Sequence, residues 1–197
     1  MREGPDRKSA AQRRRRGPRK ATPESLRKSA LQYLARYASS AAHLRRLLLV
    51  KVERSARAHG TDRETGRATA DALIADFLNA GLLDDARYAE GRALSLFRRG
   101  ASMRAIRNQL AAKGVATAPI ARALRRLQDE AADPDLAAAL GYARRRRLGP
   151  YRPEKARAAQ RERDLAALGR QGFGYELARR VVEAEDPAEL EAEAGIA

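Results

Sequence analysis

The residues of this 197-residue chain that are best suited to chemistry are arginines gathered in clusters. A first cluster lies on two successive predicted helices: Arg98, Arg99, Arg104, Arg107 and Lys113. A second begins with an unbroken run and continues towards the C-terminus: Arg144, Arg145, Arg146, Arg147, Arg170, Arg179 and Arg180. Cations in such clusters bind phosphates by releasing condensed counterions, so the affinity falls steeply with salt and depends little on base sequence. We predict that these residues line a basic groove that follows a polyanion.

The overall charge favours this interpretation. Lysine and arginine total 41 against 25 acidic residues, a formal charge of +16. The partners expected of such a chain are nucleic acid first and an anionic membrane surface second. The alternative is that the arginines form an ordinary solvated helix surface in a chain from an arginine-favouring genome. That bias explains the choice of arginine over lysine, but not the excess of arginine over acid.

No signature of an enzyme accompanies the arginines. The sequence contains no phosphate-binding loop, no dinucleotide-binding glycine motif and no Gly-x-Ser-x-Gly elbow. Cysteine is absent, which excludes disulfides and thiolate metal sites. The two histidines, His43 and His59, are too far apart to share one helical face at neighbouring turns. We therefore expect no catalysis, no cofactor and no bound metal.

Two pairs of carboxylates could be mistaken for an acid–base pair. They are Asp84 with Asp85, and Asp133 with Asp135. Each pair lies at the start of a predicted helix, where a carboxylate accepts hydrogen bonds from free N–H groups and opposes the helix dipole. We assign them this structural role.

The elements that position the arginines are all predicted to be helices. Apolar residues recur at helical spacing. Helices are predicted to be capped by Thr22, Ser40 and Thr69, and to begin at Ser102 and Thr117. Residues 60–66 are predicted to form a loop. Helix ends are indicated by glycines that can adopt a left-handed conformation: Gly81, Gly114 and Gly172.

A local repeat divides the helices into three groups. Residues 110–115 and 168–173 each read Leu-x-x-x-Gly followed by an apolar residue. We predict an all-α fold of three tandem three-helix, helix-turn-helix-like modules, chained into an elongated, curved body. The modules span 22–81, 82–132 and 133–184. Aromatic residues are few, and we assign Tyr33, Tyr37 and Phe97 to the cores.

The two ends of the chain differ in composition from its body. Residues 1–21 are basic and almost devoid of large apolar side chains, so we expect them to be disordered. Residues 185–197 are acidic and are predicted to form a partly disordered tail, which could mask the basic body or bind a partner. No secretory signal or membrane-spanning stretch is indicated, which favours a cytoplasmic protein. A monomer is the simplest expectation.

Several motifs together resemble the RecX family. The central one is Gly-Leu-Leu-Asp-Asp-Ala-Arg-Tyr-Ala-Glu at residues 81–90. Arg99-Gly100, Ile106-Arg107 and the motif at 110–115 follow in order. The segment 30–45 resembles the family's opening, and the segment 170–181 resembles its final module. The resemblance covers about residues 26–184, with a departure at His43, where the family usually has an acidic residue.

The resemblance implies both a fold and a function. RecX-like proteins consist of three tandem three-helix modules and bind RecA filaments along the helical groove. They lower the filament's ATPase, coprotease and strand-exchange activities, and so modulate homologous recombination, DNA repair and the SOS response. The implied partners are the RecA filament and single- and double-stranded DNA, without a membrane.

Two other interpretations remain open. The first is a basic architectural DNA-binding protein without a recombinase partner. The second is a subunit of a larger complex, with the acidic C-terminal segment as an interaction element.

Overall fold

The fold is entirely helical, as the sequence predicts. A computed structural model describes residues 17–129 and 131–195, and no strand occurs in these ranges. The ten α-helices described are α1 Pro23–Leu34, α2 Ala41–His59, α3 Arg63–Asn79, α4 Asp85–Arg98, α5 Met103–Ala112, α6 Thr117–Gln128, α7 Pro134–Arg146, α8 Glu154–Arg170, α9 Tyr175–Val182 and α10 Pro187–Ala194. A 3₁₀ turn, Gly149–Tyr151, follows α7. The chain divides into two compact units, Met1–Asp84 and Asp85–Ala197.

Helices α1 to α3 enclose the core of the first unit. The hydroxyl of Thr22 accepts a hydrogen bond from the amide of Ser25 at the start of α1, which confirms the predicted cap. Ser40 caps α2 in the same way. Leu26 and Phe77 are buried where the three helices meet. The lysine and arginine side chains of these helices stay at least partly exposed.

The predicted loop at residues 60–66 is wrong beyond its first residues, because α3 begins earlier than Thr69. Asp62 caps the helix by accepting a hydrogen bond from the amide of Thr65 at 2.6 Å. Gly66 lies inside α3 and packs on α2, where an added Cβ would lie 2.5 Å from a methyl of Val52. A polar, glycine-containing segment can be helical when the glycine permits close helix packing.

The second unit contains two hydrophobic clusters. Helices α4 to α6 pack around buried residues that include Ala89, Ala93 and Ile106. Helices α7 to α10 pack around a second set that includes Leu140 and Val181. The small side chains of α4 let α6 approach closely. The division into three modules, with the boundaries given above, remains a prediction.

Most of the predicted helix ends have the expected geometry. Gly81, Gly114 and Gly172 have φ angles of 68°, 77° and 91°, which a side chain would strongly disfavour. In two of these turns the amide of the apolar residue after the glycine donates to a carbonyl in the last turn of the preceding helix. In the first turn, the amide of Val115 donates to the carbonyl of Leu110. Residues 168–173 repeat this pattern. Helix α4 begins at Asp85, as predicted.

The described residues near the two ends of the chain, 17–21 and 185–195, make contacts that were not predicted. The acidic segment after residue 185 forms helix α10, which packs on α7 and buries Leu190 and Ala194. At the other end, the amide of Ala21 donates to the hydroxyl of Ser55, and the His59 ring contacts the carbonyl of Pro18. Residues 1–16, where most of the predicted disorder lies, are outside the described residues.

Candidate functional site: arginines around a helix junction

The start of α5 is held by residues that lie far away in the sequence. The backbone amide of Ser102 donates to the carbonyl of Gln171 at 3.1 Å, and that of Met103 donates to Asp135 at 2.8 Å. We call this meeting of α5 with α7 and the end of α8 the helix junction. Asp133 caps α7, as predicted, by accepting from its own helix. Asp135 was predicted to accept hydrogen bonds at the start of its own helix. It instead caps α5, by accepting from the amide of Met103.

Two glycines allow the helices to approach one another at the helix junction. A Cβ at Gly100 would lie 2.5 Å from the Cβ of Tyr142. A Cβ at Gly172 would lie 2.5 Å from the hydroxyl of Ser102. Both turns also have positive φ angles. Any side chain at either position would therefore push α5 and the loop before it away from their partners.

The helix junction brings parts of the two predicted arginine clusters together. Arg98 and Arg99 are exposed at the end of α4, directly before Gly100. The guanidinium of Arg145, from α7, reaches this turn: its Nη2 lies 2.9 Å from the Cβ position of Gly100. The C-terminal end of α4 carries a partial negative charge, which favours cations there. Residues distant in the sequence thus share one surface.

Three further arginines surround the start of α5. Arg104 donates from Nη2 to the carbonyl of Gly172 at 3.0 Å, so it also helps to hold the helix junction together. Arg107 lies one turn further along the same face and is exposed. Arg170 is exposed at the end of α8, next to the loop that binds α5. Within residues 17–129 and 131–195, neither Arg107 nor Arg170 forms an ion pair.

The arginine run at the end of α7 contains a strained residue. Arg144, Arg145 and Arg146 are the last exposed residues of the helix, and Arg147 follows with a φ of 54°. It is the sole non-glycine residue with a positive φ in the part of the chain that the structure describes. The amide of Leu148 then donates to the carbonyl of Ala143, as in the glycine turns. An arginine therefore occupies a position that favours glycine. The side chain that causes this strain is also an exposed cation.

The remaining predicted contact residues are placed differently. Lys113 caps the far end of α5 and is half-buried; a ten-residue helix is about 15 Å long, so this residue is distant from the helix junction. Arg179 forms an ion pair with Glu176 at 3.0 Å, and Arg180 pairs with Glu193 of α10. Their charge is already matched by neighbouring carboxylates.

A buried ion pair supports the scaffold behind the arginine run. Asp164 of α8 is 1% exposed and accepts two hydrogen bonds from Arg152, at 2.8 and 3.1 Å. It also accepts one from the amide of Gly149 at 2.9 Å. The hydrogen bond to Asp164 raises the pKa of Arg152. Burial, followed by the hydrogen bond to Glu191, raises the pKa of Tyr151 in the same turn. The turn after α7 is thereby fixed.

A second basic surface was not predicted from the sequence. It lies between α1 and α2 in the first unit, where two adjoining cavities of about 330 and 410 Å³ share Lys51 and Arg54 as lining residues. We call it the α1–α2 groove. Tyr37, which we assigned to a core, is 58% exposed at its edge, so that assignment is wrong. The i, i+3 spacing of Lys51 and Arg54 was a signal that could have indicated the groove.

The side chains of these surfaces limit the chemistry that they offer. Among the described residues, no group of three potential metal ligands comes together. No helix in the described ranges is long and apolar enough to span a bilayer. What the arginines of the helix junction can do chemically is bind anionic oxygens through exposed guanidinium groups.

Comparisons with known proteins bear on this arrangement. Residues 84–124, which include α4, α5 and most of α6, match the family model for the second three-helix domain of RecX. The chain is 40% identical over 181 residues to a regulatory protein RecX of Myxococcus xanthus, covering 91% of this chain and 95% of that protein. It is 36% identical over 109 residues to a regulatory protein RecX of Agrobacterium fabrum, covering 53% and 56% of the two chains. No solved structure gives a significant match.

The matched region and the helix junction overlap. The family model includes Arg98, Arg99, Arg104 and Arg107, and the alignment with the Myxococcus protein extends over nearly the whole chain. Such identity over this length, with the same helical module in the middle, shows common descent. The chain belongs to the RecX family of regulatory proteins.

Proposed function

We propose that this protein binds a RecA filament on DNA and restrains it, lowering its ATPase, coprotease and strand-exchange activities. The main support is the near full-length similarity to proteins named regulatory protein RecX. The helix junction supplies a physical means, because its exposed arginines suit the anionic oxygens of a nucleoprotein surface. We further propose a monomeric, non-enzymatic, cofactor-free protein that acts in the cytoplasm.

A filament offers repeated copies of each binding site, so one protein molecule can make several contacts with it at once. Each exposed arginine contact is weak and screened by salt. Several contacts made by one folded chain combine through a high effective concentration. The exposed residues proposed for this contact are Arg98, Arg99, Arg107, Arg144, Arg145, Arg146, Arg147 and Arg170. Arg104 contributes by holding the surface together, while Lys113, Arg179 and Arg180 are peripheral.

The test is the ATPase activity of RecA filaments with added protein. Arg107→Glu should weaken inhibition at least tenfold, because Arg107 is exposed at the helix junction and makes no ion pair in the described part of the chain. The control is Arg125→Glu, the same charge change at an exposed position of α6. Helicity from circular dichroism should be unchanged in both variants. Equal inhibition by the two variants would remove the helix junction from the proposal.

The architectural DNA-binding alternative is favoured by one observation: exposed arginines need only phosphates as partners. It predicts equal affinity for bare DNA and for filament at physiological salt. Our proposal predicts tighter binding to filament, with a difference that persists as salt is raised. Titration of both targets at two salt concentrations distinguishes the two functions.

A further inference from the structure

Cations, and no acid among the described residues, line the α1–α2 groove. Its two cavities adjoin, since both include Ser29, Gln32, Lys51 and Arg54. No aspartate or glutamate of the described residues lines either cavity. The cations are spread along the whole groove and are Arg19, Lys20, Lys28, Arg36, Lys51 and Arg54. This distribution matches a ligand that carries negative charges at intervals.

Two acids on α2 and α3 are paired with arginines outside the groove. Glu53, which lies on α2 between Lys51 and Arg54, accepts hydrogen bonds from Arg57 and Arg63. Asp71 of α3 is bound by Arg45 in a similar way. The lining cations form no ion pairs within the described ranges. Their charge is therefore available to a ligand.

One end of the groove is aromatic. Tyr37 is 58% exposed, and its ring lies 5.2 Å from that of Tyr33 in a tilted contact. The Tyr33 ring contacts the ring of His43 edge-on at 6.3 Å. The amide of Tyr37 donates to the carbonyl of Tyr33, which fixes the turn after α1. The exposed ring is therefore supported on one side and open on the other.

An exposed aromatic ring beside a line of cations suits a single strand of nucleic acid. Its phosphates follow the cations, and its bases have free faces that stack on aromatic side chains. A duplex also provides phosphates, but its bases are already stacked on one another and cannot use the ring. We propose that the α1–α2 groove binds single-stranded nucleic acid, with a base stacked on Tyr37 and phosphates contacting Lys51 and Arg54.

The inference adds to the proposed function a site for the single strand on named residues of the first unit, and it can be tested without a recombinase. The test uses the full chain and a fluorescently labelled oligothymidylate, with anisotropy measured over a range of salt concentrations. Tyr37→Ala should weaken binding about 5- to 150-fold, the usual effect of losing one stacked base. It should leave the salt dependence unchanged. Tyr37→Phe, which keeps the ring, should bind like the unaltered protein.

Removing a cation should change the salt dependence of binding, which removing the Tyr37 ring should not. Arg54→Gln should reduce the slope of log affinity against log salt by about 0.7, the value for one phosphate contact to a single strand. The matched control is Arg67→Gln, which removes one exposed charge beside Asp62 and Glu64, outside the groove. Its slope should equal that of the unaltered protein. An equal slope for Arg54→Gln and the unaltered protein would overturn the phosphate contact.

Tyrosine fluorescence gives a second readout, because the chain has six tyrosines and no tryptophan. Unlabelled oligothymidylate should quench part of the emission of the unaltered protein and less of that of Tyr37→Ala. Unchanged affinity and quenching in Tyr37→Ala would overturn the proposal, as would equal affinity for a duplex of the same length. None of these measurements involves the RecA filament, so their failure is separate from failure of the ATPase test.

Discussion

The helix junction and the α1–α2 groove are both basic, but they are built differently. At the helix junction, the arginines lie at or near the ends of helices. Hydrogen bonds between residues that are far apart in the sequence hold these ends in place, such as the one from the amide of Ser102 to the carbonyl of Gln171. In the groove, the cations line two cavities whose edge carries the exposed ring of Tyr37. The first arrangement presents charge alone, whereas the second presents charge and a stacking surface. Surfaces of similar charge can thus serve two kinds of contact, and the aromatic neighbour distinguishes them.

The comparison is tested most strongly by damaging the scaffold of one surface only. Asp164→Ala leaves the guanidinium of Arg152 and the amide of Gly149 without their buried partner, so we expect a loss of about 3–5 kcal/mol in the free energy of unfolding. Urea unfolding measures the loss. Inhibition of the filament should fall, while quenching by oligothymidylate should persist, because the groove lies in a different compact unit.

The matched control for this change is Glu162→Ala on the same helix. Glu162 is exposed and pairs with Arg161, so its removal should cost less than about 1 kcal/mol. A loss of both activities in Asp164→Ala would contradict the separation of the two surfaces.

A smaller change alters the geometry of the helix junction. Gly172→Ala and Gly81→Ala both place a side chain at a positive φ, which costs about 1–2 kcal/mol. Only at Gly172 would the new Cβ also lie 2.5 Å from the hydroxyl of Ser102; at Gly81 it would meet open space. We therefore expect a larger drop in Tm and weaker filament inhibition for Gly172→Ala alone. Identical effects in the two variants would show that the close approach has no role.

Arg147 allows stability and charge to be separated. Arg147→Gly should raise the free energy of unfolding by about 1 kcal/mol, because glycine adopts the left-handed conformation without strain. It should also weaken filament inhibition, because a cation of the helix junction is lost. Arg147→Lys keeps both the charge and the strain, and should change neither property substantially. A stabilised variant with full inhibition would show that Arg147 does not contact the filament.

The smallest expected effect is on the pH dependence of stability in the unit that contains the α1–α2 groove. Hydrogen bonds from Arg63 and then Arg57 lower the pKa of Glu53 to about 2. A carboxylate whose pKa is lowered in the folded state stabilises the fold above its unfolded pKa, about 4.3, and loses that contribution as the pH falls towards 2. Glu53→Gln should flatten the decline of Tm between pH 5 and pH 2. An equally steep decline in the variant would show that other carboxylates cause it.

The sequence predicted best what depends on neighbouring residues. Helix starts at Thr22, Ser40 and Ser102 and the turns at Gly114 and Gly172 follow local rules, and all are found. These features are recognisable because a cap needs only a short polar side chain and a few amides. Thr69 failed as a start because Asp62 offered an earlier cap.

Features that join distant residues could not be predicted in this way. Asp135 has the position of an ordinary first-turn carboxylate, and only the fold brings it to the amide of Met103. Tyr37 continues the helical spacing of Tyr33, but α1 ends at Leu34, so the ring extends past the helices that would have covered it. Helix α10 has few large apolar residues, and its burial depends on α7.

The cap that Asp135 and Gln171 provide also has a consequence for biosynthesis. The amide of Ser102 is synthesised 69 residues before its acceptor at Gln171, a delay of roughly 3 to 14 s at ordinary rates of translation. Asp135 is synthesised earlier and can already accept from the amide of Met103, but until Gln171 follows, the amide of Ser102 lacks its acceptor. The middle of the chain therefore completes its folding only after residue 171 has left the ribosome.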